Sequence, residues 1–418
     1  MTVLLKSAKI ICPNNTAFHN KTKDILIENG IIAQIADRIE KPNVKTIQLD
    51  NLHVSAGWFD SSVSFGEPGH EDRETIKNGL QTAAKSGFTD VIVNPNTTPV
   101  IDSNADISFL KSAANGNKTR LHPSGALTMK SEGIDLAELF DMKNAGAVAF
   151  NDYQKPIKNA NLLKIALLYT QSFDGLVYSF PQDNSIATNG VMNEGDIAAQ
   201  IGLKGIPAMA EELQVVRDLS ILEYTGGKLH IPTISTAGAV KLIKEAKKKG
   251  LDVSCSVAVH NLFFTDEKLK EFDTSYKVLP PLRTKIDVKA LIKGLDDETI
   301  DFVTSDHNPI DIEHKKVEFE YALYGSIGLE SFFGALNRLV GTEKAIYLLT
   351  KGRKRFGIQE PELKEGSTAS LTLFNPEMSY IFNKEHIYSS SANSVFLTAS
   401  LKGIVYGIFS NNQLLLNQ

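Results

Sequence analysis

Two polar strand ends within one short stretch are the first places in this chain where side chains could do chemistry. An apolar run over 53–59 ends on Asp60, and the run Val91-Ile92-Val93 ends on Asn94-Pro95-Asn96-Thr97. Carboxylate and amide groups delivered from the ends of buried strands suit a site built on a rigid sheet. Metal chemistry would need more, because zinc takes mainly nitrogen and sulfur donors. The nine histidines contain no pair at i, i+4 on a predicted helix or at i, i+2 on a predicted strand, so local spacing supplies no chelate. Cys12 and Cys255 lie far apart in apolar stretches and read as buried thiols of a reducing compartment.

The two polar ends belong to one predicted β-α-β unit. Its helix has Glu71 and Asp72 in the first turn, sets Ile76, Leu80, Ala83 and Ala84 on one face, and is capped near Gly87. The alternation then continues. Strands are expected at 124–127, 147–150, 176–178, 229–231, 253–259 and 301–304, with apolar-faced helices between them. So many strand–helix repeats predict a closed parallel (β/α)8 TIM barrel rather than an open sheet. In such barrels, chemistry sits at the C-terminal strand ends.

Both termini differ from this middle. Residues 1–52 read as short strands, with Asn29-Gly30 between two apolar runs, a strong hairpin signal. Residues 366–418 repeat the pattern, ending with Asn411-Asn412 before Leu414-Leu415-Leu416. The expected organisation is a barrel over 53–365 and a composite β-sandwich built from 1–52 and 366–418.

A net charge of −5 excludes a nucleic-acid binder, and Lys247-Lys248-Lys249 reads as a solvated helix end. No run approaches the roughly 18 apolar residues of a membrane span, and the lysine-interrupted N-terminus does not read as a signal peptide. A cytoplasmic protein is expected.

The segment Asp60-Ser61-Ser62-Val63-Ser64-Phe65-Gly66-Glu67-Pro68-Gly69, with Pro95-Asn96-Thr97 after it, resembles the dihydroorotase branch of the amidohydrolase superfamily. There the strand reads Asp-x-His-x-His-x-Arg-Glu-Pro-Gly. Further segments follow in the family's order: Gly146 to Phe150, Gly190 to Gly195, Ser235 to Gly238, Lys277 to Thr284, and Ser305 to Pro309. The resemblance covers nearly the whole chain. It implies a (β/α)8 amidohydrolase barrel with a small β-sandwich, and zinc held by four histidines and two acidic positions.

At the positions the resemblance implies for metal, this chain has Ser62, Ser64, Asp152, Phe180, Thr233 and Asp306. Only Asp152 and Asp306 keep ligand chemistry. Gly66 stands for the substrate-binding arginine, Leu279 for an asparagine and Ile310 for a histidine, while Asn96 is retained. Without a bound ion nothing lowers the pKa of water towards about 7. The expectation is therefore no zinc cofactor, no functional catalytic residue, and Asp306 and Asn96 surviving as vestiges. His307 and His260 are expected to be satisfied second-shell or loop groups, and His70 to be exposed by a helix start.

The resemblance extends to metal-free dihydroorotase-like partners of aspartate carbamoyltransferase. A structural subunit of that enzyme, in a homo- or hetero-oligomer, is the expected role. The alternatives are an active cyclic-amide hydrolase holding an ion weakly on Asp152 and Asp306, or a scaffold for an unrelated partner.

Overall fold

The computed structural model describes residues 1–13 and 17–417. Strands from both termini form one continuous eight-stranded sheet, in the order Gln413–Leu416, Ser400–Ser410, Leu371–Ile381, His53–Ala56, Thr2–Ile10, Thr22–Glu28 and Ile31–Ala36. Lys45–Ile47 pairs with Thr2–Ile10 off this path. The Asn29-Gly30 hairpin turns as expected, with φ of 50° and 80°. Asn411-Asn412 does the same at 51° and 55°. Both central residues are left-handed, which matches the twist of the flanking strands.

The barrel closes. Trp58–Val63, Phe88–Val93 and Arg120–Pro123 pair in parallel, as do Leu176–Tyr178, Lys228–Ile231, Val253–Ala258 and Phe302–Thr304. Phe150 bridges the two groups, touching Gly125 on one side and Val177 on the other, and a Val63–His307 bridge shuts the ring. Phe59, Ile92, Ala149, Leu176, Tyr178 and Phe302 fill the interior, with Phe356 inserted among them.

Several expected boundaries move. The run over 53–59 is two strands: His53–Ala56 pairs inside the terminal sheet, and the barrel begins at Trp58. Gly57 makes the switch, because a Cβ there would lie 2.2 Å from Thr89 Oγ1. The strand expected at 124–127 forms its ladder at Arg120–Pro123, and the one at 147–150 contracts to the bridge at Phe150. The helix after Asp60 starts only at Ile76, with Thr75 as its N-cap, so Glu71 and Asp72 lie in the preceding turn. Its far end does turn at Gly87, at φ 96°.

Of the three clustered lysines, Lys248 and Lys249 are exposed, but Lys247 is half-buried and donates to both carboxylate oxygens of Asp301. Cys255 is buried as expected, whereas Cys12 is only half-buried. Among the described residues no helix is long and apolar enough to cross a membrane.

One buried ionic cluster joins barrel and sheet. Asp90, fully buried, accepts from Arg120 Nε at 2.7 Å, Arg353 Nη2 at 2.9 Å and His122 Nε2 at 2.9 Å. Arg353 also donates to the carbonyls of Gly57 and Trp58, fixing the point where the chain leaves the sheet for the barrel. Against burial, the His122 hydrogen bond and the charges of Arg353 and Arg120 hold the Asp90 carboxyl far below the usual range.

Candidate functional site

The C-terminal strand ends bring Ser62, Asn94, Phe180, Thr233 and Asp306 around one small cavity, whose wall Asn151, Tyr153, Gln154, Tyr178 and Pro232 complete. About 10 Å³ is free there. That is the threshold for a single water molecule, and ordinary small-molecule pockets start at roughly 300 Å³. Phe180 belongs to a buried apolar cluster with Ala187, Ile206, Ala210 and Leu279, against which Ile186 and Tyr324 pack. Gln154 Nε2 donates to the Leu279 carbonyl at 2.7 Å, drawing two sides of the mouth together.

Below this plug the surviving polar groups bond to one another. Ser62 Oγ donates to Asp306 Oδ1 at 3.2 Å, and Asn94 Nδ2 reaches Ser62 Oγ at 3.1 Å and Ser64 Oγ at 3.2 Å. Asp60, where the first strand turns into the mouth, accepts from the Thr304 hydroxyl and from the Ser305 N–H at 3.1 Å. Burial, reinforced by nearby Asp60, pushes Asp306 up to about 7. Burial likewise raises Tyr153, whose phenol faces Asp306 and Ser64. Tyr153, Thr233 and Asp306 have φ of 55°, 46° and 46°. Such left-handed backbone in non-glycine residues costs about 1–3 kcal/mol each and clusters at functional sites.

Not every expected position converges. Asp152 turns away from the cavity: its Oδ1 accepts from the Leu127 and Thr128 N–H groups, both at 3.0 Å, and its Oδ2 from Thr128 Oγ1 at 2.6 Å. Burial still raises its carboxyl. Asn96 is half-buried outside the lining, and its Oδ1 has no hydrogen-bond partner. Gly66 has no room for a side chain, since a Cβ would lie 1.8 Å from the His70 carbonyl oxygen. Ile310 is buried.

The histidine expectations divide. His307 is satisfied, with Nε2 at 2.8 Å from Glu74 and Nδ1 accepting the Gly328 N–H at 3.1 Å. His260 is a correction: Nε2 is buried without a partner, and burial alone pushes the ring down to about 3. His70 is half-buried rather than exposed, 3.2 Å from Thr98 Oγ1, because it lies in the turn ahead of the helix.

Sequence reading placed Asn94 at a polar strand end but missed Tyr153 and Gln154. Each lies within two residues of a position it had singled out, but nothing in the sequence shows which way a loop side chain turns. It also missed Glu211, buried on the helix Ala208–Thr225, which draws three retained motifs together. Glu211 accepts from the Ser235 hydroxyl and from the Thr236 N–H at 2.9 Å. Arg283 stands 3.8 Å from Glu211 and donates to Ser235 Oγ at 3.0 Å and Asn193 Oδ1 at 3.0 Å. Segments from three strand–helix units are thereby tied into one network.

Among solved structures, an L-hydantoinase (dihydropyrimidinase) from Arthrobacter aurescens matches with a TM-score of 0.86 at 21% identity, covering 99% of this chain and 96% of that one. A dihydropyrimidinase from Brevibacillus agri matches at 0.84 and 18% identity, covering 100% and 95%. These likenesses show the fold, a TIM barrel carrying a smaller sheet domain. A family model described as dihydro-orotase-like matches residues 53–239. A dihydroorotase of Pelotomaculum thermopropionicum is 38% identical over 97% of this chain and 96% of its own, and one of Syntrophus aciditrophicus is 36% identical over 97% of each. The chain belongs to the dihydroorotase family.

Proposed function

We propose that this chain acts in pyrimidine biosynthesis as a non-catalytic, structural subunit of aspartate carbamoyltransferase in the cytoplasm. The observation that carries this reading is Phe180, which occupies a metal-histidine position and fills the mouth with hydrocarbon instead of offering a lone pair. The residues present do not fit a zinc ion. Asp152 spends its oxygens on Thr128 and backbone N–H groups, Asp306 is bonded to Ser62, and Ser62, Ser64 and Thr233 offer only neutral hydroxyls. Among the described residues no three His, Cys, Asp or Glu side chains are grouped to hold an ion. Catalytic zinc sites use about three protein ligands, mostly nitrogen or sulfur.

The buried Glu211–Arg283 network, which keeps loops in shape without touching the cavity, fits a scaffold whose outside is used. The test is co-expression with the transcarbamoylase of the same organism, measuring the mass of the product and transcarbamoylase activity with and without this chain. A complex stable at micromolar concentration, burying at least roughly 1,200 Å², is expected. Separate elution with unchanged activity rejects the partnership.

A second reading is an active cyclic-amide hydrolase. It is favoured by 38% identity over 97% of the chain to a protein named dihydroorotase, and by the two carboxylates that remain. Turnover of dihydroorotate, abolished by Asp306→Ala, would establish it over the first.

A further inference from the structure

A far roomier cavity than the plugged mouth lies at the opposite, N-terminal end of the barrel strands. About 630 Å³ is free there, against about 10 Å³ beside Phe180 and Asp306. Small-molecule pockets run from roughly 300 to 1,000 Å³. Strand register explains its polar wall. Asp90 pairs with Arg120, and Ile92 with His122, across two neighbouring parallel strands. Residues two apart on a strand share a face, and Ile92 lies in the barrel interior. Asp90, Arg120 and His122 therefore point inward and line the cavity. Val148 and Ile358 pack on the same interior layer, and the segment 357–370, which returns the chain to the sheet, forms the rest of the wall.

Three groups on this wall have bonding capacity left over. Arg120 engages Asp90 through Nε and Nη2, at 2.7 and 2.8 Å. That uses one edge of a fork that carries five N–H groups. Nη1 has no acceptor among the described residues, and Nη2 meets only Ser370 Oγ besides, at a long 3.4 Å. His122 spends Nε2–H on Asp90, so Nδ1 of the neutral ring is an acceptor, and among the described residues no donor meets it. Glu360 is exposed and has neither ion pair nor hydrogen bond among the described residues, whereas Glu362 on the same segment is paired with Lys364 at 2.5 Å. Buried Arg353 already balances Asp90. Arg120 thus brings an excess positive charge to the cavity and Glu360 an excess negative one.

We propose that this cavity binds a small zwitterion of the α-amino acid class, its carboxylate on the free edge of Arg120 and its ammonium group on Glu360 and His122 Nδ1. A simple anion would satisfy Arg120 and be repelled by Glu360, and a simple cation would meet the reverse. A molecule with both groups neutralises both. Arginine grips a carboxylate through two parallel N–H···O bonds, which Nη1 and Nη2 supply once the long Ser370 contact is released. Hydrocarbon of Val148, Ile358 and Pro361 is left to meet the ligand's side chain. No residue of the barrel mouth takes part, so the inference stands apart from both readings of the mouth.

The test uses the full chain with the standard L-amino acids as probes, screened by thermal shift at millimolar concentration and followed by calorimetry. At least one should raise the melting temperature and bind with a Kd of about 1 mM or below. Its N-acetyl derivative lacks the ammonium group and its amide lacks the carboxylate. Each should bind about tenfold or more weakly, the usual cost of losing a hydrogen bond to a charged group. Inorganic phosphate should give no comparable shift. Arg120→Gln and Glu360→Gln should each weaken the amino acid by a similar factor. Glu360 is exposed and bonded to nothing else in the described chain, so its variant reads binding even if Arg120→Gln does not fold. Glu362→Gln, on the same wall but at a residue with its own partner, should bind like wild type. The proposal is overturned if no amino acid binds, or if either derivative or phosphate binds as well. Unchanged affinity in Glu360→Gln, or an equal loss in Glu362→Gln, overturns it too.

Discussion

Phe180 and Leu279, almost a hundred positions apart, share one buried apolar cluster over the barrel mouth. In the dihydroorotase pattern the first stands where a histidine binds metal and the second where an asparagine lies in Asn-Pro-Pro-Leu-Arg. Far apart along the chain, the two side chains form in space one patch of hydrocarbon that packs on itself.

That packing has a measurable energy. Phe180→Ala removes the largest member of the cluster and leaves a cavity, a change that costs about 3 kcal/mol at buried phenylalanines. Urea denaturation should show this loss with an unchanged slope. A loss below about 1 kcal/mol would mean that the mouth is not packed as described.

The buried ionic cluster predicts a cost of similar size from a different cause. Asp90→Asn keeps the shape of the side chain but leaves Arg353, wholly buried, and Arg120 without their counter-charge. Removing one partner from a buried pair costs about 3–5 kcal/mol. Replacing Asp90 and Arg353 together with apolar residues should recover part of that, and the comparison in a double-mutant cycle checks whether the pair is coupled.

Much of the frame was legible in sequence because it rests on short-range rules. Asn29-Gly30 and Asn411-Asn412 turn as their backbone freedom requires. The identities at Ser62, Ser64, Phe180 and Thr233 could be aligned on the family pattern, and three of the four line the cavity. Illegible were the directions of side chains from loops. Asp152 keeps the chemistry of a ligand but spends it on Thr128, and Tyr153 beside it turns inward. Gly66 reads as a lost arginine, yet its contact with the His70 carbonyl means that the backbone itself has closed over the place. Periodicity likewise could not divide 53–59, because both halves are buried and only the Gly57–Thr89 contact separates them.

Lys315 gives a pH dependence with a defined sign. It is 5% exposed, and donates to the carbonyls of Thr274 and Lys277 at 3.0 and 3.1 Å. Burial, with the charge of Lys277 against it and that of Asp273 only partly offsetting, pushes it down to about 7. In the unfolded chain a lysine titrates near 10.4. Between those values the unfolded chain binds more protons, so stability rises with pH, by up to ~1.4 kcal/mol per unit from this group. The gain starts at about pH 7 and is complete only above the unfolded value. Lys315→Met should flatten the rise between pH 7 and 9 in urea midpoints. An identical slope in wild type and variant would show that burial does not lower this lysine.

The last prediction concerns the chemistry itself. Purified chain grown with zinc should hold well under one equivalent, and should neither open dihydroorotate nor close carbamoyl aspartate above background. Ser62→His with Ser64→His should not restore either property. Two nitrogen donors would face Phe180 and Thr233, which supply no third, with Asp306 the one carboxylate in the cavity lining. Nor could an arginine at 66 grip a substrate carboxylate, since the first side-chain carbon already collides with the His70 carbonyl. Adding Phe180→His and Thr233→His completes the nitrogen set in sequence, but the cavity of about 10 Å³ must also open, so metal uptake should precede any turnover and come with lowered stability. The measurements are elemental analysis and a dihydroorotate assay on the wild type, the double and the quadruple variant. Stoichiometric zinc in the wild type, or turnover in the double variant, would show that the mouth can be rearranged into a working site and would reject the non-catalytic reading.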